Sequence, residues 1–370
     1  MVKFLVVLGT RPEAIKLAPV IDELRRRLPH ASVCICSTGQ HREMLAQTLG
    51  VFNITPDLDL ALMQPDQSLS GLSARVLTAM DDVLTSYAPE WVIVQGDTTT
   101  VAMAAIAANH RRVKVAHVEA GLRTYDRANP FPEEMNRVIT DHISELNFAP
   151  TWAAQQNLLR EGIEERRVVV VGNTVIDALH TLAAQPWQPD PTTLLAQLPH
   201  THRLILVTAH RRENFGAPLA AICTALQRLA ENHGDRVHIV YLVHRNPHVW
   251  SAVHAHLSNV AGVTLLPPVD YRALIYLMQR AWLIMTDSGG IQEEAPALGK
   301  PVFVLRTTTE RPEAVDIGAA QLIGTDADRI VAAVEALLRD EERYARMATA
   351  GSPYGDGHAA ARIVAHLLER

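Results

Sequence analysis

The feature that most constrains the fold of this chain is a regular alternation between short apolar runs and longer segments of helical periodicity. The runs are rich in β-branched residues and lie at 3–8, 33–37, 91–95, 113–118, 146–149, 168–171, 204–208, 237–243, 263–266, 282–286 and 302–305. Runs that are apolar on both faces are typical of parallel strands covered by helices on each side. The pattern therefore predicts an α/β fold of parallel strands linked by helices.

The length of the chain indicates two domains. With 370 residues, of which 48% are hydrophobic, two cores are favoured over one. The first five runs and the last five each suffice for one sheet, and a polar, proline-rich stretch at 185–191 lies between them. We place the boundary near 170–200 and predict two doubly wound, Rossmann-like domains facing a cleft.

The composition argues against several classes of protein. The 34 basic and 40 acidic residues give a net charge of −6, and no Lys/Arg-rich block supplies the basic surface that nucleic-acid binding requires. No apolar run approaches the ~20 residues of a membrane span, and the N-terminus opens directly into a strand-like run without a signal peptide. We expect a cytoplasmic protein with no nucleic-acid or membrane partner.

The cysteines and histidines predict neither disulfides nor a metal site. Three cysteines occur in the whole chain, and their positions in apolar patterns fit reduced, packed thiols. His254 and His256, like His244 and His248, have a spacing near that of metal ligands, but no cysteine or acidic partner set accompanies them. Surface helix histidines are the better interpretation of these pairs, with His244 kept open.

The tract from Asp287 to Ala295 has the character of a phosphate site. It follows an apolar run and contains Gly289 and Gly290, which allow backbone amides at a helix N-terminus to face an anion. An acid within the next turn, as in dinucleotide-binding folds, is suited to ribose hydroxyls and so indicates a nucleotide. The alternative is a Gly-Gly turn whose acids merely cap the helix.

Charged residues cluster where the predicted strands end. In open parallel sheets the ligand binds beyond the carboxyl ends of the strands, so these segments are candidates for the site. Five of them are polar and charged: 9–16, 95–100, 117–123, 208–214 and 244–247. We expect them to lie on one rim.

The candidates in the first half of the chain have structural alternatives, with the exception of Glu119. Arg11 and Lys16 are suited to an anion at the first helix N-terminus, or they are surface charges of a helix that begins with Pro12. Asp97 either caps the helix that follows it or serves in catalysis. Glu119, between apolar residues at a strand end, is placed for acid-base chemistry.

Two further candidates come from the loop before 133 and from the second half. Glu133 and Glu134 begin a helix after a proline-bracketed loop at 129–132, so either acid fits a helix start or a contact with substrate. His210 lies beside Arg211 at a strand end, which suits anion binding or proton transfer.

Taken together these segments resemble the non-hydrolysing UDP-N-acetylglucosamine 2-epimerases, which interconvert UDP-N-acetylglucosamine and UDP-N-acetylmannosamine. The motifs that carry the resemblance are 9–16, 39–44, 96–100, 117–123, 172–177, 287–295 and 309–314. The resemblance implies the two-domain glycosyltransferase-B arrangement, with domains at 1–172 and 173–352 and a last segment, 353–370, whose helix crosses back to the first domain. It also implies a homodimer that requires no cofactor and no metal.

The resemblance assigns roles to individual residues. It implies that Asp97, Glu119, Glu133 and His210 are catalytic. It implies that the substrate contacts Arg11, Lys16, Ser288, Gly289, Gly290, Glu294 and Arg311, with the uracil against the segment from Val269 to Leu274. It further implies a second, allosteric site for UDP-N-acetylglucosamine at Gln40, Glu43, Arg211 and His244.

Three positions depart from the family pattern. Tyr125 and Ala209 stand where glycine is common, and Thr307 stands where aspartate is frequent. None of the three is a presumed catalytic group, so they bear on loop closure rather than on the reaction.

The expected reaction eliminates UDP to give 2-acetamidoglucal and then adds UDP back with the opposite configuration at C2, which supplies N-acetylmannosamine units for cell-surface polysaccharides. Direct loss of the C2 hydrogen is implausible because no carbonyl is adjacent to it, whereas cleavage of the C1–O bond acidifies it. The alternatives are a glycosyltransferase of the same fold that uses a UDP-sugar donor, and a hydrolysing epimerase that releases N-acetylmannosamine and UDP.

Overall fold

The chain divides into two units, each built around its own parallel sheet. The computed structural model describes residues 2–39, 42–64 and 67–370, without the side chains of 42–44. The first unit comprises residues 1–180 together with 354–370, and the second comprises 181–353. The two doubly wound α/β sheets predicted from the sequence are confirmed.

The first unit contains, in its described part, a seven-stranded parallel sheet in the order β3-β2-β1-β4-β5-β6-β7. Its strands are β1 Phe4–Leu8, β2 Val33–Ser37, β3 Leu58–Asp59, β4 Trp91–Gln95, β5 Lys114–Val118, β6 Leu146–Ala149 and β7 Val168–Val170. The strand order reverses between β1 and β4, which pair from Phe4 opposite Trp91. This reversal is a topological switch point, where open parallel sheets bind ligands.

The helices of the first unit connect these strands and cover both faces of the sheet. They are α1 Arg11–Arg27, α2 Arg42–Val51, α3 Leu69–Tyr87, α4 Thr99–His110, α5 Glu133–Ile143, α6 Trp152–Arg160, α7 Thr174–Ala183, whose last three residues are counted with the second unit, and α15 Ala359–Leu368. Leu5, Val7 and Val92 of the central strands are fully or almost fully buried. Runs apolar on both faces follow from this double cover.

Helix α15 is held to the first unit by the motif at 172–177. The buried carboxylate of Asp177 accepts hydrogen bonds from the backbone N–H groups of Ala359 at 3.2 Å and Ala360 at 2.8 Å. These amides belong to the first turn of α15, where the helix leaves N–H groups without partners of its own. Burial raises the pKa of Asp177, against the lowering effect of these hydrogen bonds.

The second unit has the same plan. Among its described residues, six parallel strands run in the order β10-β9-β8-β11-β12-β13, with the reversal between β8 and β11. The strands are β8 Arg203–Thr208, β9 Val237–Leu242, β10 Val263–Leu266, β11 Ala281–Thr286, β12 Val302–Val304 and β13 Ala320–Leu322. The helices are α8 Ala217–His233, α9 Pro247–Leu257, α10 Tyr271–Arg280, α11 Gly289–Ala297, α12 Pro312–Asp316, α13 Ala327–Arg339 and α14 Glu341–Ala348.

The three cysteines are buried and unpaired, as the sequence predicts. Cys34 and Cys36 lie in β2 and Cys223 lies in α8. Burial raises the pKa of Cys34 to about 11 and the pKa of Cys36 and Cys223 to about 12. These thiols are therefore packing groups rather than nucleophiles.

Candidate active site

The first unit places a buried carboxylate and a lysine together beside its switch point. Lys16, in the second turn of α1, forms an ion pair with Oε2 of Glu119, and Gln95 Nε2 donates to the same oxygen at 2.6 Å. Glu119 is 8% exposed and has φ +67°, a left-handed conformation that costs a non-glycine residue about 1–2 kcal/mol. Strain of this kind, held in place by two partners, is typical of functional positions.

Glu13 organises the turn from which α1 begins. Its Oε2 accepts hydrogen bonds from the backbone N–H groups of Gly9 at 2.5 Å and Thr10 at 3.0 Å, and its Oε1 accepts from Thr98 Oγ1 at 2.7 Å. Burial raises the pKa of Glu13, while these hydrogen bonds lower it. Glu13 therefore ties the β1–α1 turn to the β4–α4 turn. Sequence reasoning did not assign a role to Glu13, although the Thr-x-x-Glu spacing from Thr10 is a signal for a capping box.

Asp97 lies directly after β4 and is anchored by α5. Arg137 donates to Asp97 Oδ2 from Nε at 2.9 Å and from Nη2 at 2.6 Å, and Asn136 donates to the Asp97 carbonyl at 2.9 Å. The carboxylate remains partly exposed, with 29% of its side-chain surface accessible. The predicted helix cap is provided by Thr98 instead, whose hydroxyl accepts from Val101 N. Asp97 is thus oriented by an arginine that the sequence reasoning did not assign.

The structure separates the roles of the two adjacent acids at the start of α5. Glu134 is buried and accepts hydrogen bonds from the backbone of Thr124 and Tyr125 and from Arg137, all at 2.9–3.1 Å. Glu133 is half-buried, and its Oε2 has no hydrogen-bond partner within the described residues. Glu134 is therefore a structural anchor for the preceding loop, while the buried Oε2 of Glu133 is left without a hydrogen-bond partner among the described residues.

Two further residues lie on this edge of the first unit. Arg11 is exposed at the first position of α1, where its charge adds to the positive end of the helix dipole. Tyr125, where the family often carries glycine, has φ +60°, and its hydroxyl donates to Asn157 Oδ1 at 2.8 Å. The aromatic residue therefore fixes the loop before α5 to α6.

In the second unit the buried carboxylate of Asp287, which follows β11, is hydrogen-bonded to the segment that follows β8. Its Oδ2 accepts from the backbone N–H groups of His210 and Arg211, both at 2.8 Å, and from Asn214 Nδ2 at 2.9 Å. Asp287 is 0% exposed, and it carries the chain from β11 towards α11. Asp287 therefore holds the 209–214 loop beside the start of α11, and its buried carboxylate is not exposed for ligand binding.

The start of α11 has the geometry of an anion site. Ser288 occupies the N-cap without a side-chain hydrogen bond to the helix, and Gly289 and Gly290 form the first turn. A Cβ added to Gly289 would lie 3.7 Å from the guanidinium groups of Arg211 and Arg311 and from Glu310 Oε1, whereas one added to Gly290 would meet nothing within 4 Å. Backbone amides, the helix dipole and two arginines therefore converge on this turn.

Acidic residues hold those arginines in place. Arg311 Nε donates to Glu293 at 2.5 Å, and Arg211 Nη2 lies 3.3 Å from Glu310. Burial favours the neutral form of Glu310, but hydrogen bonds from its own backbone and from Arg306 outweigh burial and lower the pKa of this carboxyl to about 2. The cations are thus balanced by carboxylates before any ligand binds.

Glu294, predicted to contact a ribose, is buried in the second turn of α11. Tyr271, the first residue of α10, donates its hydroxyl to Glu294 Oε1 at 2.6 Å. Tyr271 belongs to the segment from Val269 to Leu274 predicted for the uracil, and both end residues of that segment are half-buried. The structure therefore joins the predicted base and ribose segments through one hydrogen bond.

His210 and His244 stack on each other, with ring centroids 5.2 Å apart and an angle of 11° between the ring planes. His210 lies near Asp287, with 3.5 Å between its Nδ1 and the carboxylate Oδ1. Of the four predicted allosteric positions, Arg211 and His244 lie in this region. Gln40 lies outside the described residues, and Glu43 belongs to α2 but its side chain is outside them too.

In the part of the chain that the structure describes, no group of three or more histidine, cysteine, aspartate or glutamate side chains is arranged to hold a metal ion. Among the described helices, none has both the length and the apolar character needed to cross a membrane.

Comparison with known proteins identifies relatives along nearly the whole chain. A sequence model of the family "UDP-N-acetylglucosamine 2-epimerase" matches residues 22–368. The UDP-N-acetylglucosamine 2-epimerase of Salmonella typhimurium is 50% identical over 369 residues, which cover 98% of this chain and 97% of that protein.

The chain is also similar to solved structures along its whole length. The crystal structure of a UDP-GlcNAc 2-epimerase from Neisseria meningitidis bound to UDP-GlcNAc has a TM-score of 0.88 at 43% identity, covering 100% of both chains. An S. aureus structure with UDP has a TM-score of 0.88 at 40% identity, covering 100% of this chain and 96% of that one.

Proposed function

The chain belongs to the UDP-N-acetylglucosamine 2-epimerase family, and on that premise we propose that it interconverts UDP-N-acetylglucosamine and UDP-N-acetylmannosamine without releasing free sugar. The observation that carries the proposal is the Glu119 carboxylate, buried at the end of β5 and held by Lys16 and Gln95. A UDP-binding protein without sugar chemistry has no need of a carboxylate oriented in this way.

The second unit supplies the UDP site in this proposal. The diphosphate binds at Ser288, Gly289 and Gly290, where the amides of α11 are joined by Arg211 and Arg311. Glu294 accepts hydrogen bonds from the ribose, with Tyr271 orienting its carboxylate. The uracil lies against the segment from Val269 to Leu274. Arg11 at the dipole end of α1 adds a further cation for substrate.

The reaction begins with cleavage of the bond between C1 and the diphosphate oxygen. The bonding electrons leave with UDP, positive charge develops at C1, and a carboxylate removes the C2 hydrogen as a proton. The C2–H electrons form the C1–C2 double bond of 2-acetamidoglucal. In the return step a diphosphate oxygen attacks C1, and a proton is delivered to the opposite face of C2, which inverts that centre.

Two faces of C2 require two proton-handling groups, and the first unit offers three carboxylates for them. Asp97 is oriented by Arg137, Glu119 by Lys16 and Gln95, and Glu133 retains an unpaired oxygen. Proton transfer by a positioned group of this kind contributes about 10²- to 10⁴-fold to a rate. The assignment of each acid to a face is left open.

The departing diphosphate gains negative charge, and the second unit provides donors for it. His210, Arg311 and the amides at Gly289 and Gly290 are the proposed stabilising groups. Each well-aimed donor of this type is worth about 2.7–4 kcal/mol, or roughly 10²- to 10³-fold in rate. The same groups then retain UDP for the addition step.

Several finer features extend this proposal. The resemblance to the family adds allosteric activation by a second UDP-N-acetylglucosamine, with a role for Arg211 and His244, and the stacking of His244 on His210 places that position beside a proposed catalytic group. The protein acts as a homodimer in the cytoplasm, where reducing conditions suit three buried thiols. Its product supplies N-acetylmannosamine units for cell-surface polysaccharide.

The experiment that tests the function is incubation of the purified protein with UDP-N-acetylglucosamine alone, followed by NMR of the sugar anomeric signals. The proposal predicts UDP-N-acetylmannosamine at equilibrium with the substrate. Release of free N-acetylmannosamine and UDP in equal amounts would indicate a hydrolysing epimerase. Turnover only on addition of an acceptor would indicate a glycosyltransferase.

A further inference from the structure

A buried cluster of charged groups lies behind the strand ends of the first unit and has no part in the steps above. It consists of His117 in β5, Asp141 in α5, Arg123 in the loop after β5, and Glu161 at the end of α6. The side chains of His117, Asp141 and Arg123 are 0% exposed, and that of Glu161 is 19% exposed. Charged groups are buried this deeply only when they are paired.

Both ring nitrogens of His117 face hydrogen-bond acceptors. Nδ1 lies 2.6 Å from Asp141 Oδ1, and Nε2 lies 2.7 Å from the carbonyl oxygen of Gly96. A backbone carbonyl has no hydrogen to donate, so the short Nε2 contact requires a proton on Nε2. A carboxylate likewise accepts only, so the Nδ1 contact requires a second proton on the ring.

The surroundings of Asp141 keep it a carboxylate. Arg123 lies 2.7 Å from Asp141 Oδ2, and the Gly121 N–H donates to the same oxygen at 3.3 Å. These two donors stabilise the charged form of the buried Asp141 carboxyl without any contribution from His117. The proton shared with His117 therefore belongs to the ring.

We propose that His117 is a buried imidazolium, protonated on both nitrogens, that positions the Gly96–Asp97 turn beside Glu119. With this charge the cluster contains two cations, His117 and Arg123, and two anions, Asp141 and Glu161, and its net charge is zero. With a neutral His117 the cluster would carry a net charge of −1 although only Glu161, 19% exposed, reaches solvent, which is unfavourable.

The link from His117 to the candidate acids runs through one residue, Gly96. Gly96 has φ +84°, and its N–H donates to the Val118 carbonyl at 3.1 Å while its C=O accepts from His117. Asp97 follows Gly96 in the chain and Glu119 follows Val118, so the two candidate acids lie next to these hydrogen-bonded residues. The other charged groups nearby are Lys16, which pairs with Glu119, and Arg137, which pairs with Asp97. His117 is thus a positioning residue rather than a group that touches substrate.

The protonation state can be observed directly in the wild-type protein. With ¹⁵N-labelled histidine, long-range ¹H–¹⁵N correlation spectra at pH 7.5 report whether each ring nitrogen carries a hydrogen. The inference predicts that His117, assigned by its absence from His117→Gln, shows two protonated nitrogens. His142, an exposed histidine of α5 whose Nδ1 lies 3.0 Å from Val138 O, is the control that gives the spectrum of a solvent-exposed ring in the same protein. One bare nitrogen on His117 would overturn the inference.

The positioning role rests on the proposed function and is tested separately. His117→Gln is expected to lower kcat by roughly 10²-fold, because displacement of a catalytic group by about 1 Å has that effect, while UDP affinity stays unchanged. His142→Gln serves as the matched control with wild-type turnover. Unchanged kcat in folded His117→Gln would refute the positioning role. Absence of epimerase activity in the wild type would refute the function and leave the spectroscopic result standing.

If His117→Gln does not fold, Asp141→Asn provides a second route. Loss of the carboxylate removes the anion that balances the ring, so the His117 signals are expected to shift to those of a neutral imidazole. Persistence of two protonated nitrogens in Asp141→Asn would show that Asp141 is not the partner that holds the proton, contrary to the inference.

Discussion

The ammonium group of Lys16 and the Gln95 amide both donate to Oε2 of Glu119, a residue 103 positions after Lys16 in the chain. Two donors on one oxygen fix the orientation of the carboxylate and leave Oε1 as its second acceptor. The arrangement combines an unusual backbone conformation, φ +67°, with a buried ion pair. We interpret this as preorganisation of a proton-transfer group.

Replacement of Glu119 by glutamine should abolish most turnover. The amide retains the size of the side chain but neither accepts a proton as a base nor pairs with Lys16. We expect kcat to fall by roughly 10²- to 10⁴-fold, the usual contribution of general acid-base catalysis, with UDP affinity unchanged. Initial rates of UDP-N-acetylmannosamine formation and calorimetric titration with UDP provide the two readouts. Wild-type kcat would remove Glu119 from the catalytic set.

Asp97→Asn tests a second acid in a different setting. Arg137 makes two hydrogen bonds to Asp97 Oδ2, so the loss of charge also weakens the anchor on α5. We expect a kcat loss of similar size, roughly 10²-fold or more. Arg137→Met is the matched variant that removes the anchor and keeps the carboxylate, and its kcat should fall less than that of Asp97→Asn. A larger fall in kcat for Arg137→Met than for Asp97→Asn would show that Arg137 contributes more to turnover than Asp97.

The adjacent acids Glu133 and Glu134 should separate into a functional and a structural residue. Glu133→Gln is expected to lower kcat and leave the unfolding transition unchanged, because Glu133 Oε2 has no partner in the described structure. Glu134→Gln removes charge-assisted hydrogen bonds to Thr124, Tyr125 and Arg137 and should lower the free energy of unfolding by about 1.5–3 kcal/mol. Urea unfolding measures the change in the free energy of unfolding of both variants, and initial rates measure the change in kcat. Equal effects on both measurements would contradict the separation.

In the second unit, Tyr271→Phe should weaken UDP binding modestly. The hydroxyl that donates to Glu294 at 2.6 Å is lost, and with it the orientation of the carboxylate proposed for the ribose. A single hydrogen bond is worth about 0.5–1.5 kcal/mol, so Kd should rise roughly two- to tenfold. Tyr276→Phe, in the same helix, is the control and should leave Kd unchanged. A rise of equal size in both variants would point to a general effect on α10.

Stability at acid pH should depend on Glu310. Its folded-state pKa of about 2 lies below the ordinary value of 4.5, so the unfolded chain takes up the proton first as pH falls. The stabilisation from this group is therefore complete above about pH 5 and is lost progressively towards about pH 2. Between pH 6 and 3 the wild type should lose more of its free energy of unfolding than Glu310→Gln. Glu342, which is 91% exposed, offers Glu342→Gln as a control that should follow the wild type.

The sequence predicts the sheets well but misses their weakest strands. Each of the eleven predicted runs corresponds to a strand, whereas Leu58–Asp59 and Ala320–Leu322 were not predicted. Both are edge strands of two or three residues, too short to show periodicity, and they form only because a neighbouring strand offers backbone partners. The run at 168–171, left between the two sets of five, is the seventh strand of the first sheet.

The candidate site was predictable in its residue types but not in its pairings. The rule that ligands bind beyond parallel strand ends selects Asp97, Glu119 and the 287–290 tract, and the structure places them after β4, β5 and β11. The contacts of Arg137 with Asp97 and of Tyr271 with Glu294 join residues 40 and 23 positions apart, and a single sequence carries no signal for such pairs. The different environments of Glu133 and Glu134 likewise depend on the fold of the 121–132 loop.

The central claim is that C2 is inverted through removal of its hydrogen as a proton during loss of UDP. The measurement is epimerisation in D₂O with unlabelled UDP-N-acetylglucosamine, followed by ¹H NMR and mass spectrometry of UDP-N-acetylmannosamine. We expect deuterium at C2 of the product, because the proton taken by a carboxylate exchanges with solvent before a deuteron is delivered to the other face. Product that retains the original C2 hydrogen would contradict it.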